Sequence, residues 1–141
     1  MIAFRTALLP LALLGLSGEA LAKDWSADWQ IIGVAPDRTK VLVRPSSVQE
    51  LPPRHDRAFA VRQVWAGFDF TAAAAPEQGR KIILFRYDCS AQRVLIAAAT
   101  DYAANGTLLA RNAVDADRAD QYEPVEPDTL NAAIMAEACP A

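Results

Sequence analysis

The chain has 141 residues, of which 52% are hydrophobic, and a net charge of −3 from 14 bases and 17 acids. That length suits one ordinary domain rather than several. Charge is uneven along it: residues 23–112 carry 12 bases against 9 acids, whereas residues 113–141 carry seven acids and Arg118 as the only base. An acidic end on a mildly basic body excludes general nucleic-acid binding, which needs a clear basic excess, and reads as a solvated face.

Residues 1–22 have the three-part order of a secretory signal peptide: Arg5, the apolar run 7–16 broken only by Pro10, and the ending Ala20-Leu21-Ala22. Cleavage is expected after Ala22. The run is shorter than the roughly 20 residues that a membrane-spanning helix requires. Residues 23–141 are therefore expected as a single exported domain with no transmembrane segment.

Strand patterns follow one another at short intervals. Residues 29–34 and 39–44 flank the turn Ala35-Pro36-Asp37-Arg38 and read as a hairpin. Residues 51–56, with Pro52 and Pro53, read as a loop because consecutive prolines remove ladder donors. The run 58–70 places Phe59, Val61 and Trp65 on one face and Arg62, Val64 and Phe68 on the other. After a loop at 71–80, residues 81–89 put Ile83, Phe85, Tyr87 and Cys89 on one face. Residues 93–102 align Val94, Ile96, Ala98 and Tyr102. Asn105-Gly106 marks a turn into a weaker strand at 107–114. Six strands with short connections and no helical pattern between them predict an antiparallel meander.

The tail changes character. Residues 123–128, with two prolines, are not expected to continue the sheet. Beyond them Leu130, Ala133, Ile134, Glu137 and Ala138 recur at helical spacing, with Asp128 or Thr129 as cap and Pro140 as stop. A helix of about ten residues is marginal alone. The predicted architecture is α+β: a six-stranded antiparallel sheet with a C-terminal helix on one face.

Two cysteines, Cys89 and Cys139, survive export. An even count in an oxidising compartment favours a disulfide, and two cysteines allow one pairing. The alternative is a catalytic or metal-binding thiol, for which there is neither a Cys-x-x-Cys motif nor a histidine nearby in sequence. His55, the one histidine, lies in the loop Pro52-Pro53-Arg54-His55-Asp56-Arg57 without a nucleophile beside it. Asp115, Asp117, Asp120 and Glu126 imitate part of a calcium loop, but Ala119 and Asp120 stand where an oxygen ligand and a glycine are needed. No catalytic, cofactor or metal site is expected. Trp29 and Trp65 are expected in the core. Trp25, in polar company, is a candidate partner contact, and Arg62, Arg86 and Arg93 are candidates for a basic stripe across neighbouring strands.

The order of motifs resembles the bacterial surface-adhesin protein E family. It begins at Asp28-Trp29-Gln30-Ile31-Ile32-Gly33, continues through Arg44-Pro45-Ser46-Ser47-Val48 and Arg62-Gln63-Val64-Trp65, and reaches residues 81–89, ending Tyr87-Asp88-Cys89. Tyr122-Glu123-Pro124-Val125 and a terminal Ala138-Cys139 close it. The resemblance implies a six-stranded sheet whose helix is tied on by Cys89 and Cys139. It also implies a non-enzymatic binding role towards a protein partner, such as a host extracellular protein or an envelope component. Unlike lipid-anchored members, this sequence has no cysteine at the expected cleavage site, so the periplasm or release is expected, with surface display lacking a lipid anchor. A periplasmic structural or accessory envelope protein is the alternative function. Open sheet edges also allow a homodimer.

Overall fold

The computed structural model describes residues 28–73 and 78–140. The expected leader at 1–22 and Trp25 lie outside the described residues. The strands are β1 (Gln30–Val34), β2 (Lys40–Val43), β3 (Gln49–Leu51), β4 (Val61–Asp69), β5 (Arg80–Asp88), β6 (Arg93–Tyr102), β7 (Leu108–Ala113) and β8 (Glu123–Pro124), followed by helix α1 (Leu130–Ala138). Six of them run in the order β1-β2-β4-β5-β6-β7, each antiparallel to its neighbour. This is the expected meander.

Among the described residues the strand count is eight rather than six. Gln49–Leu51 pairs with β4 beyond the end of β2, and Glu123–Pro124 pairs with Arg93 and Val94 of β6 beyond the end of β7. Both additions are short edge segments. Pro124 is tolerated there because a proline lacking an N–H can sit where no further strand needs its donor. Such two- and three-residue pairings carry no periodicity of their own. The chain continues after Pro124 with the Val125 amide donating to the Gln92 carbonyl at 2.9 Å.

Alternation decides what each face meets. Val64 and Ala66 of β4, Phe85 and Tyr87 of β5, Val41 and Val43 of β2, and Val94 of β6 pack with Ile134 and Ala138 of α1. The expected shared face of Ile83, Phe85, Tyr87 and Cys89 is this one. On β6 the expected single row breaks, because the register shifts where Phe85 pairs with Ile96 but Leu84 pairs with Ala98. One extra residue reverses the facing of everything beyond it.

Helix α1 begins where the Thr129 hydroxyl accepts from the Ala132 amide at 3.1 Å. Nine residues are too few for an isolated helix to persist, so its stability comes from what it touches. Ile134 and Ala138 are buried against the sheet, and Cys139 is bonded to Cys89 at the end of β5. The Arg62 Nε donates to the Ala138 carbonyl at 2.7 Å, meeting one of the terminal acceptors that a helix leaves open. The Tyr87 hydroxyl donates to Asn131 Oδ1 at 2.6 Å in the first turn. Burial raises the Tyr87 pKa, so the phenol stays a neutral donor.

The disulfide closes a loop with a sequence separation of 50. A loop of that length corresponds to about 4 kcal/mol on the chain-entropy account. Replacing both cysteines by alanine is expected to lower unfolding free energy by about 2–4 kcal/mol in urea titrations. Amide exchange in α1 should accelerate more than in β4 and β5, because the helix loses its tether while the central ladders remain.

Candidate functional site

The face opposite α1 carries a second apolar core at one end. Residues facing that way include Val61, Gln63 and Trp65 of β4, Ile82, Leu84 and Arg86 of β5, and Leu95 of β6. At the covered end, Val61, Leu95 and Tyr122 form a second small core with Leu51 and Phe59 packed on it. The Phe59 and Tyr122 rings meet edge to face at 5.2 Å between centroids.

A buried ionic cluster holds this cover in place. Arg57 is 0% exposed and Asp117 4%. The Arg57 Nε donates to Asp117 Oδ1 at 3.0 Å, and its two remaining nitrogens donate to the Phe59 and Pro52 carbonyls. Arg86 Nη1 donates to Asp117 Oδ2 at 3.0 Å, and the Tyr122 hydroxyl donates to Oδ1 at 2.8 Å. The Ala119 amide donates to the Asp56 carbonyl at 3.1 Å, joining the two covering loops directly. Burial, reinforced by the adjacent Asp117 carboxylate, raises the Tyr122 pKa and keeps the phenol protonated as a donor. Removing one partner from such a cluster strands a desolvated charge. Asp117→Asn is therefore expected to cost about 3–5 kcal/mol in urea unfolding. An apolar replacement of Arg57 and Asp117 together should cost less than Asp117→Asn alone.

Beyond the cluster the same face is open, and a groove of about 350 Å³ lies across it. Register explains its shape. One rung runs Trp65–Leu84–Ala98–Ala113, and the next runs Leu42–Gly67–Ile82–Thr100–Arg111. Gly67, Ala98 and Ala113 contribute little or no side chain, so Trp65 and Ile82 stand as walls over a low floor. Trp29 and Arg44 line the β2 side, and Arg111 and Asn112 the β7 side. The Arg44 amide donates to the Trp65 carbonyl at 3.0 Å, extending the β2 ladder by one residue. The Arg44 side chain pairs with Asp28 at 3.3 Å. Asp28 has a lowered pKa because the Ser46 hydroxyl donates to it and, with help from Arg44, outweighs the opposing desolvation.

Trp29 and Trp65, expected in the core, are only half-buried and line this groove. Indoles on a sheet face become core only where a second layer lies fully over them, and here both keep part of their surface in solvent. The proposed arginine stripe divides between faces. Arg62 lies on the α1 face, held by the helix end. Arg86 and Arg93 lie on the other, where Arg86 engages Asp117 and Arg93 pairs with Asp88 at 3.2 Å. The Arg93 guanidinium also sits 5.0 Å from the Phe59 ring centroid. His55 is exposed in its loop, and the Asp117 carboxylate of the imitation calcium loop is taken up by two arginines and a tyrosine. Sequence reasoning missed Arg44 and Arg111 as groove residues. The available signal was Ala97-Ala98-Ala99, a run of small residues inside a strand, which leaves a depression rather than a packed surface.

Asp88 shows how charge supports the covered end. Burial raises its carboxyl, but the Ser90 hydroxyl, the Ala91 amide and Arg93 outweigh that effect and hold its pKa below the ordinary 3.8. The unfolded chain then takes up this proton first as pH falls. The stabilisation is complete above the ordinary value and disappears as pH drops through the lower folded one. Urea midpoints are expected to decline below about pH 4, and Asp88→Asn should flatten part of that decline.

This architecture is that of an antiparallel sheet carrying one disulfide-tethered terminal helix and an open opposite face. The surface-adhesin protein E family model matches residues 29–140, and the chain belongs to that family. No curated protein and no solved structure matches the chain.

Proposed function

We propose that the chain is an exported, non-catalytic protein-binding module, and that strand β7 is where its partner docks. The observation that carries this reading is the exposure of all six residues of β7, an edge strand beside the largely buried β4, β5 and β6. Among the described residues, no strand pairs with the outer side of β7. Leu109 is 60% exposed, with Leu108 and Val114 also on the surface. An unpaired edge bearing apolar side chains is a template for an added strand: backbone bonds supply affinity and alternate side chains supply selectivity. Membership of an adhesin family supports a protein partner, either an extracellular host protein or an envelope component. A second copy pairing through the same edge gives a homodimer.

Arg86 and Arg93 keep part of their guanidinium surface in solvent on the adjoining face, with side-chain exposures of 22% and 32%. They and Trp25 are the contacts we assign after β7. Arg62, facing α1, is assigned a weaker part.

The reading is tested by immobilising the exported chain and offering it periplasmic extract and extracellular-matrix proteins in parallel. Retention of a partner is expected, with a loss of about tenfold or more for Leu109→Lys at unchanged thermal midpoint. Blanks from both sources would overturn the binding role. A periplasmic accessory function, the alternative reading, predicts protection from protease on intact cells. Surface display predicts cleavage.

A further inference from the structure

We propose that the open groove is a binding site for a small amphipathic carboxylate, with its head at Arg111 and its apolar body lying towards Trp65. The inference is separate from the β7 docking surface and does not depend on any protein partner.

Three observations converge on this ligand chemistry. The groove walls and floor are chiefly apolar, formed by Trp65, Ile82, Ala98 and Ala113, and a volume of about 350 Å³ lies at the small end of the range typical for ligand pockets. Its charged lining residues among those described are both arginines, Arg44 and Arg111, and no described acidic side chain lines it. The two arginines are also inequivalent. Arg44 is paired with Asp28, whereas Arg111 has no ion pair or hydrogen-bond partner among the described residues.

Position adds a direction. Arg111 sits directly opposite Thr100, which is itself opposite Ile82. Thr100 is buried, with 8% of its surface exposed, and its hydroxyl makes no hydrogen bond to the described residues. A guanidinium and a hydroxyl side by side at one end offer a fork of donors to a carboxylate, the geometry for which arginine is suited. From there the low floor leads across β6 and β5 to the Trp65 wall. Arg111 on β7 and Arg44 beside β2 are four strand spacings apart, about 19 Å between strand axes. A compact neutral solute would leave Arg111 unmatched, and a cation would be repelled from both ends. A ligand with one anionic head and an extended apolar or aromatic body satisfies every lining group.

The test is a titration of the exported chain, labelled with nitrogen-15, with decanoate and, separately, 1-decanol. Decanoate is expected to shift amide signals of residues 98–100 and 111–113 saturably, and to bind at least about tenfold more tightly than the alcohol. Arg111→Gln lies on an exposed strand and should fold normally. It is expected to weaken decanoate about tenfold, the loss of one charge-assisted contact, while leaving decanol unchanged. Phosphatidylglycerol vesicles separate a free acid from an acidic lipid surface. Failure to sediment with them is expected. Absence of saturable shifts, equal affinity for acid and alcohol, indifference to Arg111→Gln, or cosedimentation with vesicles would each overturn the proposal.

Discussion

A single layer of strands has two apolar faces, and the described residues include one short α-helix with which to cover them. That shortage organises the structure. The helix takes one face, where Ile134 and Ala138 close over Val43, Val64, Phe85 and Tyr87. It is too short to stay helical by propensity, so a covalent tether at Cys139 and a capping arginine at Ala138 hold it there. The opposite face receives only loops, and loops carry unsatisfied backbone groups that an apolar cover cannot accommodate.

The buried cluster around Asp117 answers that difficulty. Arg57 donates to the carbonyls of Pro52 and Phe59 in one loop and to the Asp117 carboxylate in the other. One side chain thereby satisfies backbone acceptors and links two segments 60 residues apart in sequence. Such a cluster adds less net stability than an apolar core of equal volume, since desolvation opposes its Coulombic gain. Its contribution is geometric: it sets where the cover ends. Beyond that limit the face stays open, and the groove between Trp65 and Arg111 follows from it.

The two candidate binding surfaces are consequences of the same arrangement. β7 closes the meander and has no neighbour on its outer side among the described residues. Its inward-facing Arg111 and Ala113 form one bank of the groove, while its outer edge faces solvent. One strand thus serves a concave face and a free edge, which suits small-molecule and strand-like partners in different ways. Membership of the surface-adhesin protein E family is compatible with either use.

Alternation along 61–69, 80–88 and 93–102 made the central strands legible from sequence, because a half-buried strand imposes a period of two on its own residues. The spacing of Leu130, Ile134 and Ala138 located the helix for the equivalent reason. The chain alone did not reveal Gln49–Leu51 or Glu123–Pro124 as strands, since pairings that short depend on the neighbour rather than on any local pattern. Nor did it separate Trp65 as a groove wall from Trp65 as core, because the same apolar residue serves either purpose until a second layer is placed or withheld. Arg57 gave no sign of its burial, for an arginine in a polar loop that follows two prolines reads as a solvated residue. Local periodicity is written in consecutive residues and was determined by the sequence itself. Coverage of a face, the partner of a buried charge and the emptiness of a groove depend on segments far apart in the chain, and only the tertiary structure decided them.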